Sequence, residues 1–258
     1  RTVYAAVESD SLVLVVDGKP QRKIRVSEAI RPQFSPDGTR LAVVAYEGAK
    51  EYVYLDGKGG VRYARISDRT MAFSANSKRF ACMAQKESKW CMVIDGKEGK
   101  IYDEIGVGTF SFSPDGIHYA YVAIVGGKRL VVRDGVEGKP YDAIPAGNPV
   151  FSPDSRGLCY AANAEGQWRL VLDGKEFPPF PSIEPATITF APGNKRSVAC
   201  VVSTGTGSAV LVDGTLGPVY DQILTRKGGR LIFDSPTALR YLAVRGQDVL
   251  QVSEKLPP

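Results

Sequence analysis

A single histidine, His118, limits the chemistry open to this chain of 258 residues. A zinc site built from clustered histidines is excluded, and any Ser-His-Asp or Cys-His arrangement would have to use that one imidazole. His118 opens an expected strand at the place where Arg40 and Arg79 stand in related segments. It therefore reads as a permissive, solvent-facing or structurally bonded position and not as a poised base. The chain has four cysteines, Cys82, Cys91, Cys159 and Cys200, with no Cys-x-x-Cys spacing among them, so a zinc ribbon or dithiol motif is excluded. With Lys86-Glu87 at the tip of their hairpin, Cys82 and Cys91 stand opposite each other and a cross-strand disulfide is geometrically allowed. The alternative is four buried free thiols packed as small hydrophobes. Glycine-rich stretches at Gly135 to Lys139 and Thr204 to Ser208 sit in a turn and a hairpin tip. Neither opens a helix, so a phosphate cradle lacks its helix N-terminus. There is no Gly-x-Ser-x-Gly elbow. The expectation is no catalytic residue, no metal and no cofactor.

The bulk properties agree with a binding or structural role. Lys+Arg number 33 and Asp+Glu 28, giving a net charge of +5, and hydrophobic residues make up 43%. That is a globular balance and not a disordered one. No apolar run reaches the eighteen or so residues of a membrane helix, and the first residues carry no leader pattern. Lys19, Lys58, Lys97 and Lys175 each follow an Asp-Gly pair. Such lysines describe a solvated turn face more than a nucleic-acid footprint, and no nucleic-acid partner is expected.

What positions the candidate residues is an internal repeat. Phe-Ser-Pro-Asp-Gly at Phe34 to Gly38 recurs at Phe112 to Gly116, with looser copies after Phe73, Phe151, Phe190 and Phe233. Those phenylalanines are 39, 39, 39, 39 and 43 residues apart. Asp-Gly recurs independently at Asp17, Asp56, Asp95, Asp134, Asp173 and Asp213, in steps of 39 four times and then 40. Each unit reads as four short strands. The first ends at the Phe, and Ser-Pro-Asp-Gly turns the chain. A second strand such as Leu41 to Ala45 or Tyr119 to Ala123 leads through a tip into a third strand that is apolar on both faces, as at Leu12 to Val16 or Leu130 to Val132. Asp-Gly then makes a tight turn into a fourth strand, read at Ile101 to Ile105 and Pro140 to Ile144. Units of about 40 residues with four antiparallel strands, apolar enough to stack face to face, describe β-propeller blades. The expected fold is all-β, one propeller domain over residues 1–258 that begins inside a blade. Seven second/third hairpins favour seven blades. Six is the alternative, with the strand Lys23 to Val26 completing the last blade and residues 1–20 left as an extra hairpin. A monomer is favoured, with dimerisation through the incomplete end blades as the alternative.

The repeated Phe-Ser-Pro-Asp-Gly turn, with the later Asp-Gly-Lys and Tyr-Asp elements, resembles the TolB-type, WD40-like propeller repeat of bacterial proteins, over essentially the whole chain. That repeat serves partner binding, peptidase accessory domains and sugar-active enzymes alike, so the resemblance implies the fold more than a function. It also implies an extracytoplasmic location. TolB-type sugar lyases hold a metal mainly with histidines, which this chain cannot supply. The helical N-terminal domain of TolB-type proteins does not lie within these residues, so its partner contacts are not carried over.

In a propeller the first strand lines the central channel. Three residues before each Phe stand Arg31, Thr70, Thr109, Asn148, Thr187 and Arg230, all polar, with Arg69 one position further out. Symmetry would gather them into a ring at one mouth, its arginines grouped around the closure and able to hold a carboxylate or an acidic peptide end. The alternative is a polar, water-filled channel. On the same face Trp90 and Trp168 occupy equivalent places near hairpin tips, where they would anchor a partner, stack on a sugar, or cover a gap between blades. The reading is a non-enzymatic propeller that binds a protein or peptide through the channel mouth and hairpin face. The alternatives are a carbohydrate- or substrate-handling module of a larger enzyme, or a purely structural repeat segment.

Overall fold

The computed structural model describes residues 3–9, 11–25, 30–193, 197–225 and 230–256. Among them every regular element is a strand, and the strands form seven antiparallel sheets. The first holds Val3–Glu8, Ser11–Val16 and Lys19–Arg25. The second holds Ile30–Phe34, Leu41–Glu47, Lys50–Leu55 and Lys58–Gly59, and the third Arg65–Phe73, Phe80–Lys86, Lys89–Ile94 and Lys97–Tyr102. The fourth is centred on Tyr119–Val125 and Lys128–Arg133, the fifth on Leu158–Ala164 and Gln167–Leu172, the sixth on Val198–Ser203 and Ser208–Val212, and the seventh on Ala238–Arg245 and Asp248–Lys255. Within the second, third, fifth and sixth sheets the strands follow one another in chain order, as up-and-down hairpins demand. The chain divides into two compact units, Arg1–Tyr119 with Ala123–Gly126, and Ala120–Val122 with Gly127–Pro258.

Both periodic sequence markers are hydrogen-bonding devices. In the Ser-Pro-Asp-Gly turn the buried serine hydroxyl accepts the N–H five residues on and donates to the acid or amide two residues on. Arg40 N donates to Ser35 Oγ at 3.0 Å, and Arg79 N to Ser74 Oγ at 2.9 Å. Ser35 Oγ donates to Asp37 and Ser74 Oγ to Asn76. In the Asp-Gly turn the aspartate adopts a left-handed φ near 50°. Its carboxylate accepts the N–H that opens the second strand: Leu41 to Asp56, Phe80 to Asp95, Leu158 to Asp173 and Val198 to Asp213, all at 2.8–2.9 Å. Aspartate suits both demands, because its short side chain tolerates that backbone region and reaches back to the main chain.

The second and third strands bury both faces. In the second unit Cys159 and Ala161 join one core cluster while Leu158, Tyr160 and Ala162 join another; Leu170 and Val171 divide the same way. Val198, Cys200 and Val202 likewise face one neighbour, and Ala199 and Val201 the other. In the first unit Ala42 and Val44 pack with Tyr63, Phe80 and Cys82, while Leu41, Val43 and Ala45 point to the opposite side. This is the packing of stacked sheets, and it accounts for the continuous apolar runs.

The Tyr-Asp segment departs from the expected fourth strand. The fourth strand of the third sheet is Lys97–Tyr102, and Glu104–Ile105 already pairs with Tyr119–Val125 of the next sheet. Tyr141 likewise bridges to Arg129, while Ala143 bridges to Asn163. The chain therefore crosses between sheets at the aspartate, and its carboxylate accepts an N–H at the next hairpin tip. Gly126 donates to Asp103 at 2.8 Å, Glu165 to Asp142 at 2.8 Å and Gly246 to Asp221 at 2.6 Å.

Candidate functional site

The polar position three residues before each Phe is largely occupied in repairing the sheet. The ladder between the first and second strands shifts register between Ser67 and Ala72, and again between Glu184 and Thr189. Across the first gap Thr70 Oγ1 donates to Ser67 O (3.0 Å) and accepts from Met83 N (3.2 Å). Across the second, Thr187 Oγ1 donates to Glu184 O (2.6 Å) and accepts from Val201 N (2.9 Å). Thr109 Oγ1 donates to Gly106 O, and Asn148 Oδ1 accepts from Ala161 N at 3.3 Å. Thr70, Thr109 and Asn148 are buried, and the Asn148 Nδ2 has no partner among the described residues. A side chain that replaces a missing ladder bond must be polar and short, which is why threonine and asparagine recur here.

The arginines of the same set behave differently. Arg69 and Arg230 are exposed. Arg31 lies in the strand Ile30–Phe34, but its side chain is outside the described residues. In the second unit Arg230 and Thr187 line one cleft of about 390 Å³, together with Thr189 and Thr225. In the first unit a basic cleft of about 430 Å³ opens at the hairpin face, lined by Lys50, Arg62, Lys86 and Lys89 with Gln85 and the single carboxylate of Glu87. Lys86 is paired with Glu98 at 2.5 Å and Lys89 with Asp103 at 2.9 Å, both exposed pairs that water and salt weaken. The hydrogen bond to Glu98 raises the Lys86 pKa, and that to Lys86 lowers the Glu98 pKa. The Arg62 guanidinium lies 4.4 Å over the Tyr52 ring.

Trp90 pairs across the third sheet with Gln85 and Tyr102 and is half-buried beside this cleft. Trp168 bridges to Phe180 and packs half-buried against the core cluster of Leu170, Ile183 and Cys200. Both rings are half-buried, with part of each left open to a partner.

Cys82 and Cys91 do not stand opposite each other. The hairpin turns at Glu87-Ser88, so Cys82 stands opposite Val93 and Cys91 opposite Ala84. All four cysteines are free and buried. Burial pushes the Cys82 and Cys200 thiols up to about 12 and raises Cys91 and Cys159 as well. A thiol held protonated is a poor nucleophile. None of the four should react with Ellman's reagent within minutes in the folded protein, and all four should react in guanidinium. A fast native thiol, or fewer than four in denaturant, contradicts this arrangement. His118 is half-buried at the turn, its N–H donating to Ser113 Oγ at 2.9 Å. Among the described residues no three His, Cys, Asp or Glu side chains group as metal ligands, and no helix is long and apolar enough to cross a membrane.

No family model matches the chain, and no curated protein does. Solved structures do resemble it. A eukaryotic initiation factor aligns at 13% identity and a TM-score of 0.51, covering 99% of this chain and 64% of that one. TolB from Acinetobacter baumannii aligns at 16% identity and a TM-score of 0.38, covering 80% of this chain. The β-propeller domain of the Trilobed protease from Pyrococcus furiosus aligns at 13% and 0.40, over 99% of this chain and 91% of that one. The chain spans 58% of the TolB chain it resembles. Identities this low speak of fold alone. The fold rests on the sheets and turns themselves, successive antiparallel sheets of an all-β, propeller-type fold.

Proposed function

We propose that the chain is a non-enzymatic, protein-binding propeller scaffold that takes an acidic peptide segment at its hairpin face. The observation that carries the reading is the cleft lined by Lys50, Arg62, Lys86 and Lys89, two of which hold Glu98 and Asp103 only in exposed pairs. A peptide carboxylate entering there meets several cations at once and competes with ion pairs that water already weakens. Trp90 beside the cleft supplies apolar area for a neighbouring peptide side chain. The thiols that burial holds protonated support a role without covalent catalysis. Arg230, exposed at a cleft of the second unit, and Arg31, by its place in the sequence repeat, are proposed as separate contacts for acidic segments.

The test is fluorescence anisotropy of a fluorescein-labelled octaglutamate peptide with the full chain. Binding should weaken as salt shortens the Debye length from about 14 Å at 50 mM to below about 6 Å at 300 mM. Reversing two charges, in Lys50→Glu with Arg62→Glu, should weaken it at least tenfold. Arg31→Ala with Arg230→Ala should weaken it less and leave the melting temperature nearly unchanged. Equal affinity in the charge-reversed protein removes the hairpin-face cleft from the proposal, and equal affinity in the arginine pair removes the first-strand contact.

A further inference from the structure

In the second unit three clefts between neighbouring sheets are each narrowed by an aromatic ring of the chain itself. In the second unit Tyr160 stands against Tyr141 with ring centroids 6.2 Å apart, and its hydroxyl is 3.8 Å from where a Cβ on Gly138 would lie. Tyr241 stands in the same relation to Tyr220, at 6.3 Å. Between the fifth and sixth sheets the second-strand residue is Cys200, and the plug comes from the opposite wall. Phe177 lies there so close over Gly214 that a Cβ on that glycine would come within 2.2 Å of the ring. Phe177 and Gly138 hold equivalent places, since each donates its N–H to the third strand at 2.8–2.9 Å, to Leu170 O and Val131 O respectively.

Between the second and third sheets, inside the first unit, both plugs are missing. The second-strand position is Cys82, and the position equivalent to Phe177 is Gly60, whose N–H donates to Val53 O at 2.9 Å. The consequence is a cleft of about 560 Å³, against about 360 Å³ for the one that Tyr160 lines. Its walls are Val53, Leu55, Tyr63, Phe80, Cys82 and Val93, with the exposed Val61 at its mouth. Arg40, Asp56 and Lys58 form the rim.

We propose that this cleft is a binding site for a single aromatic ring of the phenol class, free or carried as a peptide side chain. The repeat itself defines the shape: a slot that elsewhere holds a tyrosine or phenylalanine ring has kept its aromatic and aliphatic walls and lost the ring. Phe80 and Tyr63 present faces and edges to a planar guest, and the charged rim faces the guest's polar end. The site lies at the turn end of the sheets and shares Tyr63 with the basic cleft at the hairpin tips, and it stands whether or not that cleft binds peptide.

The experiment uses the full chain with methyl-labelled valine and two probes, p-cresol and N-acetyl-Gly-Tyr-Gly-amide. Titration should shift the methyl signals of Val53, Val61 and Val93 saturably, with a Kd on the order of 1 mM or tighter. Cys82→Tyr, which restores the plug as at Tyr160, should abolish the shifts and raise the melting temperature. Gly60→Phe, which restores it as at Phe177, tests the same point from the other wall should Cys82→Tyr not fold. A response to p-cresol alone identifies a free phenol as the ligand. A response to the peptide alone, or a tenfold tighter one, identifies a side chain in its peptide. No saturable shift with either probe, or undiminished shifts in a folded plugged variant, overturns the proposal.

Discussion

Tyr141→Ala should lower the melting temperature by roughly 6–20 °C, the largest single-residue effect expected in the second unit. Tyr141 is 2% exposed, packs edge-on against Tyr160 and donates its hydroxyl to Glu176 at 2.9 Å. Removing the ring leaves a cavity between two sheets and should cost about 3–5 kcal/mol. Tyr141→Phe separates the two contributions. It keeps the ring and loses only the bond to a carboxylate that still has Lys139 at 2.6 Å and Arg169 at 3.5 Å, so about 1 kcal/mol is expected. Differential scanning calorimetry of the three proteins decides it. Equal losses for Ala and Phe would mean that the hydroxyl, and not the packed ring, holds these sheets.

A comparable loss is expected at a residue that is largely exposed. Asp95 holds φ 52°, accepts the Phe80 N–H at 2.9 Å and pairs with Arg79 at 2.8 Å. Alanine there keeps the backbone strain, roughly 1–2 kcal/mol for an ordinary residue, and strands the buried Phe80 N–H, about 1–3 kcal/mol more. The sum is roughly 2–5 kcal/mol. Asparagine tolerates the same φ and offers an equivalent oxygen, so Asp95→Asn should cost under about 1 kcal/mol, the worth of an exposed ion pair. Chemical denaturation reads both variants. If Asn and Ala are equally destabilising, the ion pair with Arg79 carries the turn and the N–H contact does not.

These two positions also mark how far the sequence could be read. Asp-Gly and Ser-Pro-Asp-Gly act over two to fifteen residues, so their spacing conveyed the strand order and the both-faces burial of the middle strands. Whether the crossing segment at Tyr102-Asp103 belonged to one sheet or the next depends on pairing with Ile124, a contact that no local pattern displays. The Cys82–Cys91 register turned on a single residue of tip placement, and one step of slip separates opposite partners. Polar periodicity at Thr70 and Thr187 was visible, yet a hydroxyl that mends a ladder and one that faces a channel look identical in a sequence. The basic cleft was out of reach for a different reason. Lys50 and Arg62 lie on opposite sides of an Asp-Gly turn from each other, and Lys86 and Lys89 come from the next sheet. The missing plug at Cys82 and Gly60 becomes visible only once their equivalents are known to touch.

The carboxylate staples carry a consequence for how such a chain arises and folds. Each links residues 15 apart, from Leu41–Asp56 to Val198–Asp213, and so closes within one hairpin. Ordering can therefore begin in any hairpin without waiting for distant segments, which keeps the loop-closure penalty small and favours fast nucleation for an all-β chain. A duplicated 39-residue stretch brings its own turn, its own staple and an aspartate ready to seize the next tip. Lengthening by one such unit then needs no compensating change elsewhere, and single positions can differ from repeat to repeat, as Val43, Cys82 and Tyr121 do.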